Sequence, residues 1–311
     1  LLEKVIAACE KNYNRFPNVV GMGIGTKYIE GRSIDNSLCV QFFVKKKIKK
    51  ELVNQILPGF VYARDSNGKV DYSDKICTDV IEVADIELMC KSGDPIYASG
   101  EKGTATLVFQ NKSHENKGYY LITCSHVAGS IWENSKKGRF GRTHNGKKVM
   151  EAEIIFNSQA NKIGRKNVLE YDIALAKILE NYTPQPDLEV LSGNRISKIL
   201  SRVDIYEKYL NKKKSVSCAR SGANIKYYAE VMSCFGCLDI NIDNHNCRVR
   251  NLWAINERPR PGDSGGLIYD GDAAIGILVA RGKNGYGYFQ LLHDSLDYLN
   301  KKIDFSLQCF K

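Results

Sequence analysis

Pro261-Gly262-Asp263-Ser264-Gly265-Gly266 is the stretch from which the rest of this sequence is best read. A serine hydroxyl is a poor nucleophile until a base removes its proton, and the carbonyl it attacks needs donors aimed at the developing oxyanion. Glycines on both sides of Ser264 let the main chain turn sharply enough for the amides of Gly262 and Ser264 to face one point. A Gly-Asp turn between two strands has the same composition. The hexapeptide therefore needs partners elsewhere in the chain before it signifies chemistry.

Two partners lie upstream. Leu121-Ile122-Thr123-Cys124-Ser125-His126-Val127 sets a histidine immediately after an apolar strand, and Tyr171-Asp172-Ile173-Ala174-Leu175 sets an aspartate at the entry to another. Alone, such a histidine is usually structural and such an aspartate a turn residue. Together with Ser264 they supply a base, an orienting acid and a nucleophile, in the chain order His, Asp, Ser. His114, His144, His245 and His293 sit in polar or helical settings with no such companions. The hexapeptide also satisfies Gly-x-Ser-x-Gly, the nucleophile elbow of α/β-hydrolases. That elbow requires a helix directly after the serine, with acid and histidine later in the chain. Here Gly-Gly-Leu-Ile-Tyr-Asp-Gly-Asp-Ala-Ala-Ile-Gly-Ile-Leu follows, a strand-turn-strand pattern.

The three segments resemble the chymotrypsin/trypsin-like serine proteases, over about residues 96–303. The resemblance implies a mainly β fold of two six-stranded antiparallel β-barrels with a C-terminal helix. It makes His126 the general base, Asp172 the residue that fixes its tautomer, and Ser264 the nucleophile, with Gly262 and Ser264 forming the oxyanion hole. It also implies a protein or peptide substrate and no cofactor or metal. The specificity pocket would have Arg258 at its floor and Ala280 and Arg281 on its wall, favouring acidic or small polar side chains before the cut. Residues 1–90 are similar to the N-terminal extension of bacterial intracellular trypsin-like proteases, through Val19-Val20-Gly21-Met22-Gly23-Ile24-Gly25 and Cys77-Thr78-Asp79-Val80-Ile81-Glu82. That suggests a small α+β regulatory domain receiving an activating partner, within a stress or defence system. Two departures stand out. Val127 replaces the cysteine usual beside the catalytic histidine, and Asp263 has no evident partner because a whole domain precedes the barrels. A non-catalytic protein that keeps the fold is the alternative, with nothing positive in the sequence behind it.

The remaining sequence fits this frame. With 311 residues and 43% hydrophobic content, the chain can build two cored domains, expected here at 1–90 and 91–311. Leu2, Val5, Ile6, Cys9 and Tyr13 recur at helical spacing, so an amphipathic helix rather than a secretion signal is expected at the start. From residue 95 short strands alternate with Gly, Asn, Asp and Lys turns, at Thr104–Gln110, Tyr119–Cys124, Val149–Phe156, Asp172–Ile178, Tyr227–Met232, Arg248–Ile255, Gly266–Tyr269, Ala273–Ala280 and Tyr286–Leu291. Leu292, Leu296, Leu299 and Ile303 then mark a helix. Of the ten cysteines, Cys39, Cys77 and Cys124 lie inside apolar runs, as reduced thiols do. A reducing cytoplasm is therefore expected. No apolar run reaches the roughly 20 residues that span a bilayer, so no membrane is expected. The net charge of +10 includes the runs 45–50 and 212–214. With no aromatics interleaved, these read as solvated lysines rather than a nucleic-acid site. Cys234, Cys237, His245 and Cys247 offer zinc ligands, but His-x-Cys is cramped for a tetrahedron. Two hairpin cysteines beside a turn histidine give the same pattern.

Overall fold

The computed structural model describes residues 5, 9, 16, 18–29, 32–48, 56–64, 70–83, 86–88, 96–98, 101–111, 118–132, 139–144, 147–164, 166–179, 196–219, 226–242, 245–282 and 285–303. An N-terminal sheet contains β1 (Val19–Ile29), β2 (Arg32–Val44), β3 (Phe60–Arg64) and β4 (Val70–Glu82), in the order β1-β2-β4-β3. Val40, Phe42 and Val44 alternate along β2 and bury one face with Met22 and Val61. The helical residues Val5 and Cys9 are buried in the same cluster. The rest of the expected first helix lies outside the described residues. The three-residue strand β5 (Ile86–Leu88) follows.

Next come β6 (Ile96–Ala98), β7 (Glu101–Gly103), β8 (Leu107–Asn111), β9 (Gly118–Thr123), β10 (Arg139–His144) and β11 (Lys147–Asn157). After them come the hairpin β12 (Asn161–Ile163) and β13 (Lys166–Leu169), and then β14 (Ala174–Ile178). Seven of these strands form one antiparallel sheet in the order β7-β6-β10-β11-β14-β9-β8. Its two ends, β7 and β8, are joined by residues 104–106 alone, a link that spans at most about 14 Å. The sheet must therefore curl until its ends meet, and the Thr106 N–H extends the β8–β9 pairing by donating to Ile122 O at 2.8 Å. The strand number reaches seven because a short β6–β7 hairpin makes one edge.

The second barrel uses β16 (Ser215–Ala219), β17 (Lys226–Ile242), β19 (Leu252–Ile255), β20 (Leu267–Asp270), β21 (Ala273–Gly282) and β22 (Gly287–Leu291). The sequence of pairings β16-β20-β21-β22-β19-β17 returns to β16, closing a six-stranded antiparallel ring. Its interior holds Val216, Cys218, Val231, Ile255, Ile275, Leu278 and Phe289. β15 (Lys198–Ile199) runs parallel to β21 at its start. β18 (His245–Arg250) completes a hairpin with the far half of β17. The chain closes with the helix Leu292–Asn300, which buries Leu292, Leu296 and Leu299 as its spacing predicts. A larger apolar cluster joins Leu121, Ile122, Val127 and Leu175 of the first barrel to Leu252, Ala280 and Leu292 of the second. The site lies along that seam.

β1 pairs with β17, so the N-terminal sheet is continuous with the second barrel. Gly21 permits this approach, because a Cβ there would lie 2.5 Å from Cys237 O. The eight described cysteines are all free thiols. Burial pushes the thiols of Cys39 and Cys247 up to about 12. Among the described residues no helix is long and apolar enough to cross a membrane.

Candidate active site

His126 sits in a single helical turn, Ser125–Ala128, directly after β9. The Ser125 hydroxyl lies 2.6 Å from Asn157 Oδ1 and 2.5 Å from Ser158 O, which pins the turn to the end of β11. Ser158 in turn holds the next loop. Its hydroxyl donates to Tyr171 O at 2.6 Å and accepts the Ile173 N–H at 3.1 Å. These bonds draw residues 171–173 out of the sheet, so the strand expected from Asp172 begins at Ala174.

Asp172 is buried beneath His126. Its Oδ2 lies 2.5 Å from His126 Nδ1, and its Oδ1 accepts the His126 backbone N–H at 3.0 Å. An ionised carboxylate can only accept, so Nδ1 carries the proton and Nε2 presents the basic lone pair. The two bonds from one residue fix the ring against the carboxylate in both position and tilt. The aspartate is held in turn by Gln290 on β22, which is 1% exposed. Gln290 Oε1 accepts the Asp172 N–H at 2.8 Å, while its Nε2 donates to Arg250 O at 2.8 Å and Glu170 O at 3.2 Å.

Ser264 lies on the turn between β19 and β20 and is fully buried. Gly262 and Gly265 have φ of 95° and 84°, conformations that favour glycine. The space at Gly265 is closed as well, since a Cβ would meet Thr104 O at 2.1 Å and Thr123 Oγ1 at 2.7 Å. The turn is sewn to the first barrel at this point. Thr104 donates its N–H to Ser264 O and its hydroxyl to Gly262 O, each at 2.8 Å. Thr106 Oγ1 donates to Gly265 O at 2.7 Å, and Thr123 Oγ1 donates to Thr104 O at 2.8 Å. Thr123 ends β9, the strand that delivers His126.

The other side of the turn meets β21. The Ser264 hydroxyl donates to Val279 O at 3.3 Å, and Cys124 Sγ donates to the adjacent Leu278 O at 3.2 Å. Cys124, His126 and Asp172 also bring donor atoms within 4.8 Å of one another. The structure thus pairs His126 with Asp172 and ties the Ser264 turn, through Thr104 and Thr123, to the strand that delivers His126. Asp263, expected to lack a partner, has one: its Oδ2 accepts the Arg260 N–H at 2.7 Å.

The residues expected at the specificity pocket are spread more widely. Ala280 is buried on β21, Arg281 half-buried beside it, and Arg258 exposed on the loop after β19. Pro259 of that loop meets Gly287, the register partner of Arg281, where an added Cβ would come within 2.7 Å. The loop therefore lies against the strand pair that carries Arg281.

The zinc ligands do not assemble. Cys247 lies opposite Ile240, three residues from Cys237, so the two thiols point to opposite faces of the hairpin. Cys234 Sγ instead donates to Ile24 O, and the His245 ring packs at 5.2 Å from that of Trp132. Thr104, Thr106, Ser158 and Gln290 went unrecognised in the sequence. Only Gln290 carries a usable signal, as the polar residue within an apolar strand.

No protein-family model matches the chain, and no curated protein matches it. Among solved structures it is similar to a glutamic acid specific serine protease, with 16% identity over 67% of this chain and 97% of that one and a TM-score of 0.43. It is similar to the Nocardiopsis protease, with 15% identity over 67% and 95% of the two chains and a TM-score of 0.43. Thermobifida fusca protease A gives 16% identity over 67% and 94%, with a TM-score of 0.44. The fold itself is read from the strand pairing: a curled antiparallel sheet, a closed six-stranded ring and a C-terminal helix make a chymotrypsin-type double β-barrel.

Proposed function

We propose that the chain is a serine endopeptidase acting through an acyl-enzyme on Ser264. The observation that carries this reading is the buried His126–Asp172 pair, made by two hydrogen bonds, on the seam where the Ser264 turn is stitched to the strand bearing His126. Nε2 of His126 takes the Ser264 proton as Oγ bonds to the scissile carbonyl carbon. The negative charge that forms on the carbonyl oxygen is received by the amides of Gly262 and Ser264. Collapse of the tetrahedral adduct breaks the C–N bond, and the same proton passes from Nε2 to the departing amine. Water then repeats the sequence on the ester and frees the acid. Asp172 keeps the ring in the required tautomer and stabilises the imidazolium.

The substrate is a protein or peptide. Arg281, with Arg258 on the neighbouring loop, supports a preference for acidic or small polar side chains before the cut and disfavours Lys and Arg. Profiling against a proteome-derived peptide library tests this, and dominant cutting after Lys or Arg would refute it. The free thiols support work in a reducing cytoplasm. The N-terminal sheet, anchored on β17, supports reception of an activating protein through residues 1–90 in a bacterial stress or defence response. The central test is a fluorophosphonate probe. It labels the parent chain and leaves Ser264→Ala unlabelled; an unlabelled parent would defeat the proposal.

A further inference from the structure

β5 has two main-chain neighbours, and neither is needed to close a barrel. It pairs antiparallel with β21, with Ile86 opposite Gly282, Glu87 opposite Arg281 and Leu88 opposite Ala280. On its other side Glu87 pairs in parallel with Asn241 of β17. β22 occupies one edge of β21 as far as Arg281. β20 covers the opposite edge only as far as Ile277. The main-chain groups of Ala280–Gly282 on that second edge are therefore met by β5. Without it they would form an open strand edge, and such an edge accepts any extended peptide.

The direction of β5 gives this pairing its meaning. As β5 advances from Ile86 to Leu88 it moves along β21 from Gly282 to Ala280, toward Val279. The Val279 carbonyl is the group that accepts the Ser264 hydroxyl. A strand laid on this edge in this sense is thus aimed at the nucleophile. β5 also belongs to the connection between the N-terminal sheet, ending at Glu82 in β4, and the first barrel, beginning at Ile96 in β6. Tethering at both ends holds it at a high effective concentration over the edge, on the order of millimolar for a short link.

We infer that β5 is an internal substrate mimic: the chain fills its own peptide-binding edge at Ala280–Gly282 and restrains hydrolysis until that strand is withdrawn. The inference rests on the protease reading above and deepens it. What the edge offers is main-chain N–H and C=O, so the substrates it takes once open are extended, strand-forming segments of unfolded polypeptide. An activator acting on the N-terminal sheet would work by pulling β5 away, because β4 and β5 are separated by only a short run of chain.

Glu87→Pro tests this. Proline removes one N–H from β5 and disfavours strand pairing at its centre, whereas Glu87→Ala keeps the main-chain donor and stays restrained. If about a tenth or less of the parent chain is open, Glu87→Pro raises the cleavage rate of carboxymethylated lactalbumin by about tenfold or more. A second readout needs no catalysis. In the Ser264→Ala background, amide exchange at Ala280–Gly282 is slow, quickens with Glu87→Pro, and slows again when a synthetic peptide of residues 83–91 is added. Unchanged exchange in Glu87→Pro would overturn the inference, as would unchanged lactalbumin cleavage in a chain whose Ser264 still takes the fluorophosphonate. If Ser264 takes no label, the protease reading fails, while the exchange measurement still decides whether β5 occupies the edge.

Discussion

Replacing Gln290 with leucine removes a clamp that both barrels share. The side chain is 1% exposed and satisfies three main-chain groups, namely the Asp172 N–H, the Glu170 carbonyl and the Arg250 carbonyl. Leucine nearly matches its volume, so the cavity contribution is small and the loss is polar. A buried group left without its partner costs about 1–3 kcal/mol. Relaxation and shared partners bring the sum for three groups to about 3–6 kcal/mol. For a chain of this size that lowers the thermal midpoint by about 5–9 °C. The Asp172 loop also loses its tie to β22, so the carboxylate that orients His126 drifts. Turnover should then fall between tenfold and the roughly 10⁴-fold limit set by losing the orienting acid altogether. Urea or thermal melts give the first quantity, and kcat and KM on a peptide substrate give the second. A positioning role predicts that kcat falls more than KM rises, measured well below the new midpoint. Gln290→Leu with a parental midpoint and parental kcat would show that the clamp neither stabilises the seam nor positions the acid.

Ser264→Ala and His126→Ala should each abolish peptide hydrolysis while leaving the circular dichroism spectrum intact; Asp172→Asn should lower turnover by roughly 10⁴, about 5 kcal/mol, by analogy with the Ser-His-Asp template. Gly265→Ala should destabilise the chain by about 3–5 kcal/mol in urea melts, since it adds left-handed strain to a collision with the Thr104 carbonyl. Cys39 and Cys247, raised to about 12 by burial, remain protonated as pH rises through the ordinary thiol range. At pH 8 only about one in 10⁴ is thiolate, so iodoacetamide should spare both in the native chain and modify both in urea, as peptide mapping would reveal. Hydrolysis should survive thiol reductant and EDTA, and loss of activity to reductant alone would contradict the reading of these cysteines as free thiols.

The residues proposed to do chemistry were legible because that chemistry restricts what surrounds them. A nucleophilic serine needs glycines to turn and to admit Thr104, and Gly262 and Gly265 have the backbone angles this requires. A base delivered by a rigid strand leaves an apolar run before its histidine, which is β9. What the sequence withheld is what depends on distant partners. β10, written Arg-Phe-Gly-Arg-Thr-His, has too few apolar residues to read as a strand and is built by its pairing with β11. β17 was expected to stop at Met232 but runs on to Ile242, because β1, β18 and β19 all pair along it. The Cys234-Phe235-Gly236-Cys237 spacing that suggested a metal is therefore strand interior, where the barrel and the N-terminal sheet are joined. The expectation about Asp263 failed for the same reason in reverse. Its partner is the amide of Arg260, three residues away, and backbone donors leave no trace in side-chain composition. Asp263 thus has a hydrogen-bond partner inside its own turn, a neutral amide rather than a charged amine. Among the described residues the N-terminal region pairs with β21 through β5, whose three residues carry no motif and become visible only through their register with Ala280–Gly282.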